Sequence, residues 1–276
     1  MKDKKVLTIQ DYSSFGQCSL SVALPIISAM GIETVSIPIA LLSTHTSGFK
    51  GYTYIDLKDN IVPAVKHYKS LDIDFDFIYL GYLGSSAAAE VAEEVCNLYP
   101  NAQLIVDPAM AENGKYYDGI TNNFSQSIAI LCKKSYIALP NLSEACLLSD
   151  TKYSPIQTKD SILKICKGLV AKGIKRFVIT GIRTKTGMLL AYCDGNEIKF
   201  IDTQEVKGDF LGSGDVFAST LTGALANNLD LPQSLDLAVK YTQKTVEVTS
   251  LDKAHWYGLK FEKTIPYLIE LLNTAK

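Results

Sequence analysis

The chain has 276 residues, 47% of them hydrophobic, which is enough to bury the core of one large α/β domain. Its 27 basic and 29 acidic residues leave a net charge of −2, so composition gives no electrostatic ground for binding nucleic acid or an anionic membrane. No apolar run reaches bilayer length, and six cysteines scattered without a C-x-x-C pair argue against a disulfide framework or zinc site; a cytoplasmic protein is expected.

In chain order, residues 6–9 read as a buried strand and 10–16 as a polar loop beyond its C-terminal end. The apolar stretch 18–30 predicts a helix ended by Gly31, with Pro25 kinking or restarting it. A second strand over 34–42, broken near Pro38, leads into the small polar cluster 43–48, and 57–68 predicts a helix. A strand and helix rhythm follows: strand 77–80, helix 86–98, strand 103–106, helix 125–132, strand 136–139, and a turn with a short helix from Pro140-Asn141. Helix 159–172 and strand 176–180 continue it. Residues 188–193 and 197–201, separated by Asp194-Gly195, carry the clearest hairpin signal. Helices over 213–228 and about 232–249 come next. The segment 111–118 lacks periodicity, contains Asn113-Gly114, and is expected to be a mobile flap that keeps water from a reactive nucleotide.

This alternation predicts one domain over 1–276, built on a mostly parallel central sheet with a late antiparallel hairpin. Ligands of such sheets lie beyond the C-terminal strand ends, and there the polar residues Asp11, Thr44, Thr46, Tyr82, Asp107, Asn141, Glu144 and Thr180 gather. The stretch Phe210-Leu-Gly-Ser-Gly-Asp215 precedes an alanine-rich apolar run, so its turn falls at a helix N-terminus. Unpaired backbone N–H groups and the helix dipole suit phosphate there, and glycines let a polyanion come close. An aspartate would repel a passively held phosphate. It fits if Asp215 takes a proton from a hydroxyl that attacks phosphorus. Asp215 would also suit an ordinary helix start, so the motif depends on the rest of the chain for its meaning.

The Gly212-Ser-Gly-Asp215 turn resembles the G-T-G-D signature of vitamin kinases in the ribokinase-like superfamily. Thr8-Ile9-Gln10, Thr44-His45-Thr46, Leu80-Gly81-Tyr82, Asp107-Pro-Ala-Met110 and Pro140-Asn-Leu-Ser-Glu144 resemble pyridoxal/pyridoxamine kinase motifs in that family's order, and the variant 11–20 looks most like the pyridoxamine kinases of Gram-positive bacteria. The resemblance implies a ribokinase-like three-layer α/β/α sandwich that uses ATP to phosphorylate the 5′-hydroxymethyl group of a vitamin B6 vitamer. It implies Asp215 as catalytic base and Gly212, Ser213 and Gly214 as the anion hole. Asp11, Cys18, Thr46 and Tyr82 would line the pocket of this small aromatic alcohol. Asn141, Glu144, Thr180, Gly181, Phe210 and Leu211 would meet the nucleotide, with Asp107 and Glu144 holding Mg²⁺. The family also implies a homodimer. Asp11 departs from the serine of many pyridoxal kinases, Ser213 from threonine, Ala111 from glycine and Leu139 from threonine. Hydroxymethylpyrimidine kinase, with the same acceptor alcohol, is the nearest alternative, and a catalytically silent nucleotide-binding regulator is the alternative from another class.

Overall fold

The structure, a computed structural model, describes residues 3–206 and 208–276. The chain runs through β1 (Lys5–Phe15), α1 (Leu20–Ala29), β2 (Glu33–Thr44), β3 (Tyr54–Asp56), α2 (Lys58–Ser70), β4 (Phe77–Leu80) and α3 (Ser86–Leu98). It continues with β5 (Gln103–Val106), β6 (Ala111–Glu112), β7 (Lys115–Tyr116), α4 (Asn122–Lys134), β8 (Ile137–Ala138), α5 (Leu142–Leu148) and α6 (Lys159–Ala171). The hairpin strands follow β9 (Arg176–Arg183) as β10 (Met188–Asp194) and β11 (Ile198–Thr203), and α7 (Ser213–Ala226), α8 (Leu231–Ser250) and α9 (Ile265–Ala275) close the chain. Contacts group the residues into two compact units, one of Met1–Gly81, Glu94–Ala102 and Val206–Lys276, the other of Tyr82–Glu93 and Gln103–Glu205.

In the first unit β1 pairs in parallel with both β2 and β4, and the short β3 runs antiparallel along β2. Residues Val6 to Asp11 of β1 are all buried, as a strand covered on both faces requires. The stretch 10–16, expected as a loop, is strand as far as Phe15, because β2 also runs on to Thr44 and pairs with it. Pro38 does not break β2. Instead the register slips between Gln10 and Asp11, opposite Pro38 and Ala40, a bulge that absorbs the missing N–H.

Four helices close this unit around one core. Val22, Ile26 and Met30 of α1 meet Val216 and Ala224 of α7, Leu237 and Tyr241 of α8, and Leu268 and Leu272 of α9. Each such buried aliphatic side chain stabilises the fold by about 1.5–3 kcal/mol. Gly223 sets the approach of α7, since a Cβ there would run into the Met30 sulfur. Pro25 lies inside a continuous α1.

In the second unit β5, β8 and β9 are parallel neighbours, and β10 and β11 add the antiparallel hairpin foreseen around Asp194-Gly195. Helices α5 and α6 both start on capping boxes, Asn141 with Glu144 and Thr158 with Ser161. Segment 111–118 is not plain loop: β6 and β7 form a two-residue-stranded hairpin whose turn, Asn113 (φ 52°) and Gly114 (φ 76°), has the left-handed pair that favours Asn-Gly. Among the described residues no helix is long and apolar enough to cross a membrane.

Candidate active site

The two units carry different parts of the predicted site. The first holds Asp11, Cys18, Thr46, Phe210, Leu211 and the 212–215 turn; the second holds Tyr82, Asp107, Asn141, Glu144, Thr180 and Gly181.

In the first unit, Gly212 caps α7 with φ 78° and Asp215 occupies the first turn. A Cβ on Gly212 would overlap the carbonyl oxygen of Gln17, so glycine is required both for the backbone angle and for the approach of segment 17–19. That segment also carries strain. Ser19, the residue before α1, adopts φ 51° and ψ −129°, a conformation that non-glycine residues avoid. It has a use here. The Ser19 N–H donates to the Asp215 carboxylate while the Ser19 hydroxyl donates to Asp11.

Asp215 shows partial surface exposure, yet protein packed around it desolvates the carboxyl and pushes it up to about 7, against the pull of the Ser19 N–H. Asp11, on the same side, adds a like charge that pushes in the same direction. Asp11 is itself buried, accepts from Ser13 Oγ at 2.9 Å, and is raised by desolvation. The Cys18 thiol is pushed well above its ordinary range, first by burial and then by the fields of Asp11 and Asp215. An aspartate that changes charge near neutrality, at a helix N-terminus, has the properties of a general base for a neutral hydroxyl.

Thr46 is exposed on the loop after β2, while its neighbour His45 is buried. His45 Nε2 lies 3.1 Å from the Tyr257 carbonyl oxygen, and its ring stacks edge-on with Phe49 at 4.8 Å. Phe49 packs on Trp256 at 4.6 Å and Phe15 on Tyr257 at 4.8 Å, so an aromatic cluster pins the Thr46 loop to the segment after α8. Sequence reasoning gives Ser19 no role although it lies in the 11–20 stretch, and it passes over Trp256 and Tyr257, which no local motif marks. Phe210 and Leu211 line a cavity of about 260 Å³ together with Thr249, His255 and Trp256, whose wall also carries the charged Asp252 and Lys253.

In the second unit, Glu144 is 1% exposed. Its Oε1 accepts from the N–H groups of Met110 (3.0 Å) and Ala111 (3.4 Å), and its Oε2 from the N–H of Asn141 (2.8 Å). Burial pushes its carboxyl up, and the backbone donors draw it back. Asn141 returns the cap, accepting from Glu144 N at 3.0 Å, and donates from Nδ2 to Ala111 O at 2.8 Å. Thr180 N donates to the Pro140 carbonyl, and Gly181 follows at φ 68° with open space around it. Asp107 follows β5 and is half-buried, and Tyr82 is half-buried with its ring beside Gly84.

The donor set bears on magnesium. Among the described residues no three His, Cys, Asp or Glu side chains cluster as a metal cage. Magnesium retains waters and binds through one or two carboxylates plus phosphate oxygens, so Asp107, with Glu144 organising the adjoining backbone, fits an ion that arrives with a nucleotide.

A family model described as phosphomethylpyrimidine kinase matches residues 23–259 of the chain. The pyridoxine/pyridoxal/pyridoxamine kinase of Bordetella avium is 23% identical over 89% of this chain and 86% of that protein. Among solved structures, a Bacteroides thetaiotaomicron protein provisionally described as a phosphomethylpyrimidine kinase, crystallised with pyridoxal, superposes with a TM-score of 0.89 at 28% identity, covering 97% of this chain and 96% of that one. The pyridoxal kinase of Lactobacillus plantarum matches with a TM-score of 0.89 at 25% identity over 98% of both chains. The mostly parallel sheet with a late antiparallel hairpin and helices on both sides is therefore the fold of these kinases, as the ribokinase-like resemblance implies.

Proposed function

The chain belongs to the phosphomethylpyrimidine kinase family, and we propose that within it this protein is an ATP-dependent kinase that phosphorylates the 5′-hydroxymethyl group of a vitamin B6 vitamer. The observation that carries this reading is Asp215, held in the first turn of α7 by the Ser19 N–H with its carboxyl raised to about 7. Kinase relatives named for pyridoxal, and a structural neighbour crystallised with pyridoxal, support the choice of acceptor.

In this mechanism Asp215 orients the primary alcohol and accepts its proton as the oxygen attacks phosphorus. The backbone N–H groups of Gly212, Ser213 and Gly214 are proposed to meet the charge on the moving phosphoryl group, Ser213 N exchanging its bond to the Phe210 carbonyl for the phosphate oxygen. Asp11, Cys18, Thr46 and Tyr82 are proposed for the vitamer, and Asn141, Glu144, Thr180, Gly181, Phe210 and Leu211 for ATP. The cavity beside Phe210 and Leu211, with both apolar and charged lining, is proposed for part of the nucleotide. Mg²⁺, proposed at Asp107 and Glu144, would supply charge neutralisation on the phosphates. We further take 1–276 as one kinase domain acting in the cytoplasm, where its six free cysteines fit a reducing milieu, and as a homodimer.

A coupled ADP-release assay with Mg-ATP tests the reading, offering pyridoxal, pyridoxamine, pyridoxine and hydroxymethylpyrimidine side by side. Turnover of the vitamers is expected. Turnover of the pyrimidine alone would establish the second reading, which the family description favours. Silence with all four would leave a nucleotide-binding regulator.

A further inference from the structure

The second unit holds a cavity of about 510 Å³ where the start of α6 meets the β9–β10 turn and the end of β11. None of its lining residues belongs to the sets proposed above for the vitamer, the nucleotide or magnesium. Its volume is that of a site for a small organic ligand.

The backbone around the cavity is set before any ligand arrives. On β9, Thr180 and Gly181 both stand opposite the single Leu190 of β10, a bulge that bends the strand just before the residues that line the cavity. The turn beyond the bulge is then fixed to the approach of α6. Gln157 N donates to the Arg183 carbonyl at 2.8 Å, and the Gln157 side chain, 3% exposed, donates from Nε2 to Ser154 O and accepts from Ser161 Oγ, both at 2.6 Å. Thr184 donates to the Gly187 carbonyl from both N (2.8 Å) and Oγ1 (2.9 Å).

The lining combines an aromatic ring with charges of both signs. Phe200 and Asp202 lie two apart on β11 and so share a face, with Leu189 paired opposite Asp202. Lys159 Nζ stands 5.7 Å from the centroid of the Phe200 ring, and Lys185 enters from the β9–β10 turn. Among the described residues none of Lys159, Lys185 and Asp202 takes part in an ion pair. A ring seated on Phe200 therefore finds a cation within the length of one substituent and a carboxylate along the same strand.

We propose that this cavity is a second ligand site, which takes a phosphorylated aromatic nitrogen heterocycle. The ring lies against Phe200, an N–H of the ring or of an amino substituent is donated to Asp202, and the phosphate is received by Lys159 and Lys185. Two cations against one carboxylate make the phosphate the anchor, while Asp202 orients the ring by repelling the phosphate from its own end. A nucleotide and a phosphorylated vitamer both have this chemistry. The site goes beyond the kinase reading and stands without it.

Binding followed at the cavity itself tests the proposal. The chain has four methionines, and the methyl resonance of Met188, which lines the cavity, is assigned with Met188→Leu. It should shift when AMP or pyridoxine 5′-phosphate is added to the full chain, and the compound that moves it identifies the source. The Kd read from this shift should weaken at least about tenfold in the double variant Lys159→Gln, Lys185→Gln, since hydrogen bonds to charged groups are lost. Both lysines are exposed, so the substitutions spare the core. Inorganic phosphate, and separately adenosine and pyridoxine, should each bind at least about tenfold more weakly than the matching phosphorylated compound. No shift with either compound overturns the proposal. A Kd in the double variant within about threefold of wild type does so too, because the shift then originates elsewhere. Inorganic phosphate bound as tightly as the heterocycles would overturn ring recognition, and adenosine or pyridoxine bound as tightly would overturn the phosphate anchor; either refutes the assigned ligand. Turnover plays no part in this measurement, so a protein that phosphorylates no vitamer leaves the inference standing, and an active kinase without the Met188 response removes the inference alone.

Discussion

The carbonyl oxygen of Gln17 occupies the space that a side chain on Gly212 would need. The glycine that shapes the phosphate turn is thus dictated from a segment far away in sequence, whose own Ser19 holds the base. Gly212→Ala meets both a positive φ and a backbone clash, so either the turn or segment 17–19 must move. Turnover should fall by at least about a hundredfold, as when an oxyanion-type donor is misplaced, with a lower thermal midpoint; kinetics and calorimetry on one preparation check both. Near-normal turnover would show that the turn does not serve the transition state.

Asp215→Asn should reduce kcat by orders of magnitude with little change in vitamer KM, because a base acts mainly in the transition state. Steady-state kinetics decide. A variant with wild-type turnover would remove Asp215 from the role of base.

The raised Asp215 carboxyl also fixes two pH dependences. In the free wild-type enzyme kcat/KM should rise with pH and level off above about 7, where the carboxylate forms. For stability the sign is opposite. The folded state holds this proton to about 7 and the unfolded chain releases it near the ordinary aspartate value of about 3.9, so the contribution is full at low pH and is lost as pH rises between those values. Asp215→Asn, which mimics the protonated form, should therefore gain thermal stability over wild type as pH rises through that window, by at most about 4 kcal/mol. Parallel melting curves for the two proteins from pH 4 to pH 8 would refute this.

Glu144→Ala strips three backbone N–H groups of their acceptor inside a buried site. A cost of about 3–5 kcal/mol is expected, against a smaller cost for Glu144→Gln, which keeps one accepting oxygen. Chemical denaturation measures the difference. Equal stability of the two variants would contradict the capping role.

The β6–β7 hairpin offers a fifth outcome. Gly114 N donates to Ser143 Oγ at 2.9 Å, and a Cβ at Gly114 would meet the Tyr153 ring, which ties the hairpin to α5. If it closes over the nucleotide, amide exchange in 111–118 should slow when an ATP analogue and a vitamer are both bound. Unchanged exchange would leave it a fixed surface hairpin.

Much of this is legible along the chain. Strands β4 and β5 and helix α3 can be read to the residue, because each is bounded by its own breakers and carries an unbroken period. The phosphate turn is legible because its chemistry is local. β1 is not, since Gln10 to Ser13 are polar and become strand only through a partner strand that extends alongside them. Helix α9 does carry a signal, Leu268 and Leu272 four apart behind Pro266, which a reading led by motifs passes over. Ser19 was hidden for a different reason: its role lies in a strained backbone and in two carboxylates brought beside it by tertiary structure.

The first unit leaves the chain at Gly81 and takes it up again at Val206, apart from the short piece Glu94–Ala102. During synthesis, Asp11 and Ser19 emerge long before the base they serve. At roughly 5–20 residues per second, the ribosome takes on the order of 10–40 s to make the intervening chain. Until then α1 lacks the cover of α7, and a nascent chain of this protein should depend on holding chaperones in proportion to that delay.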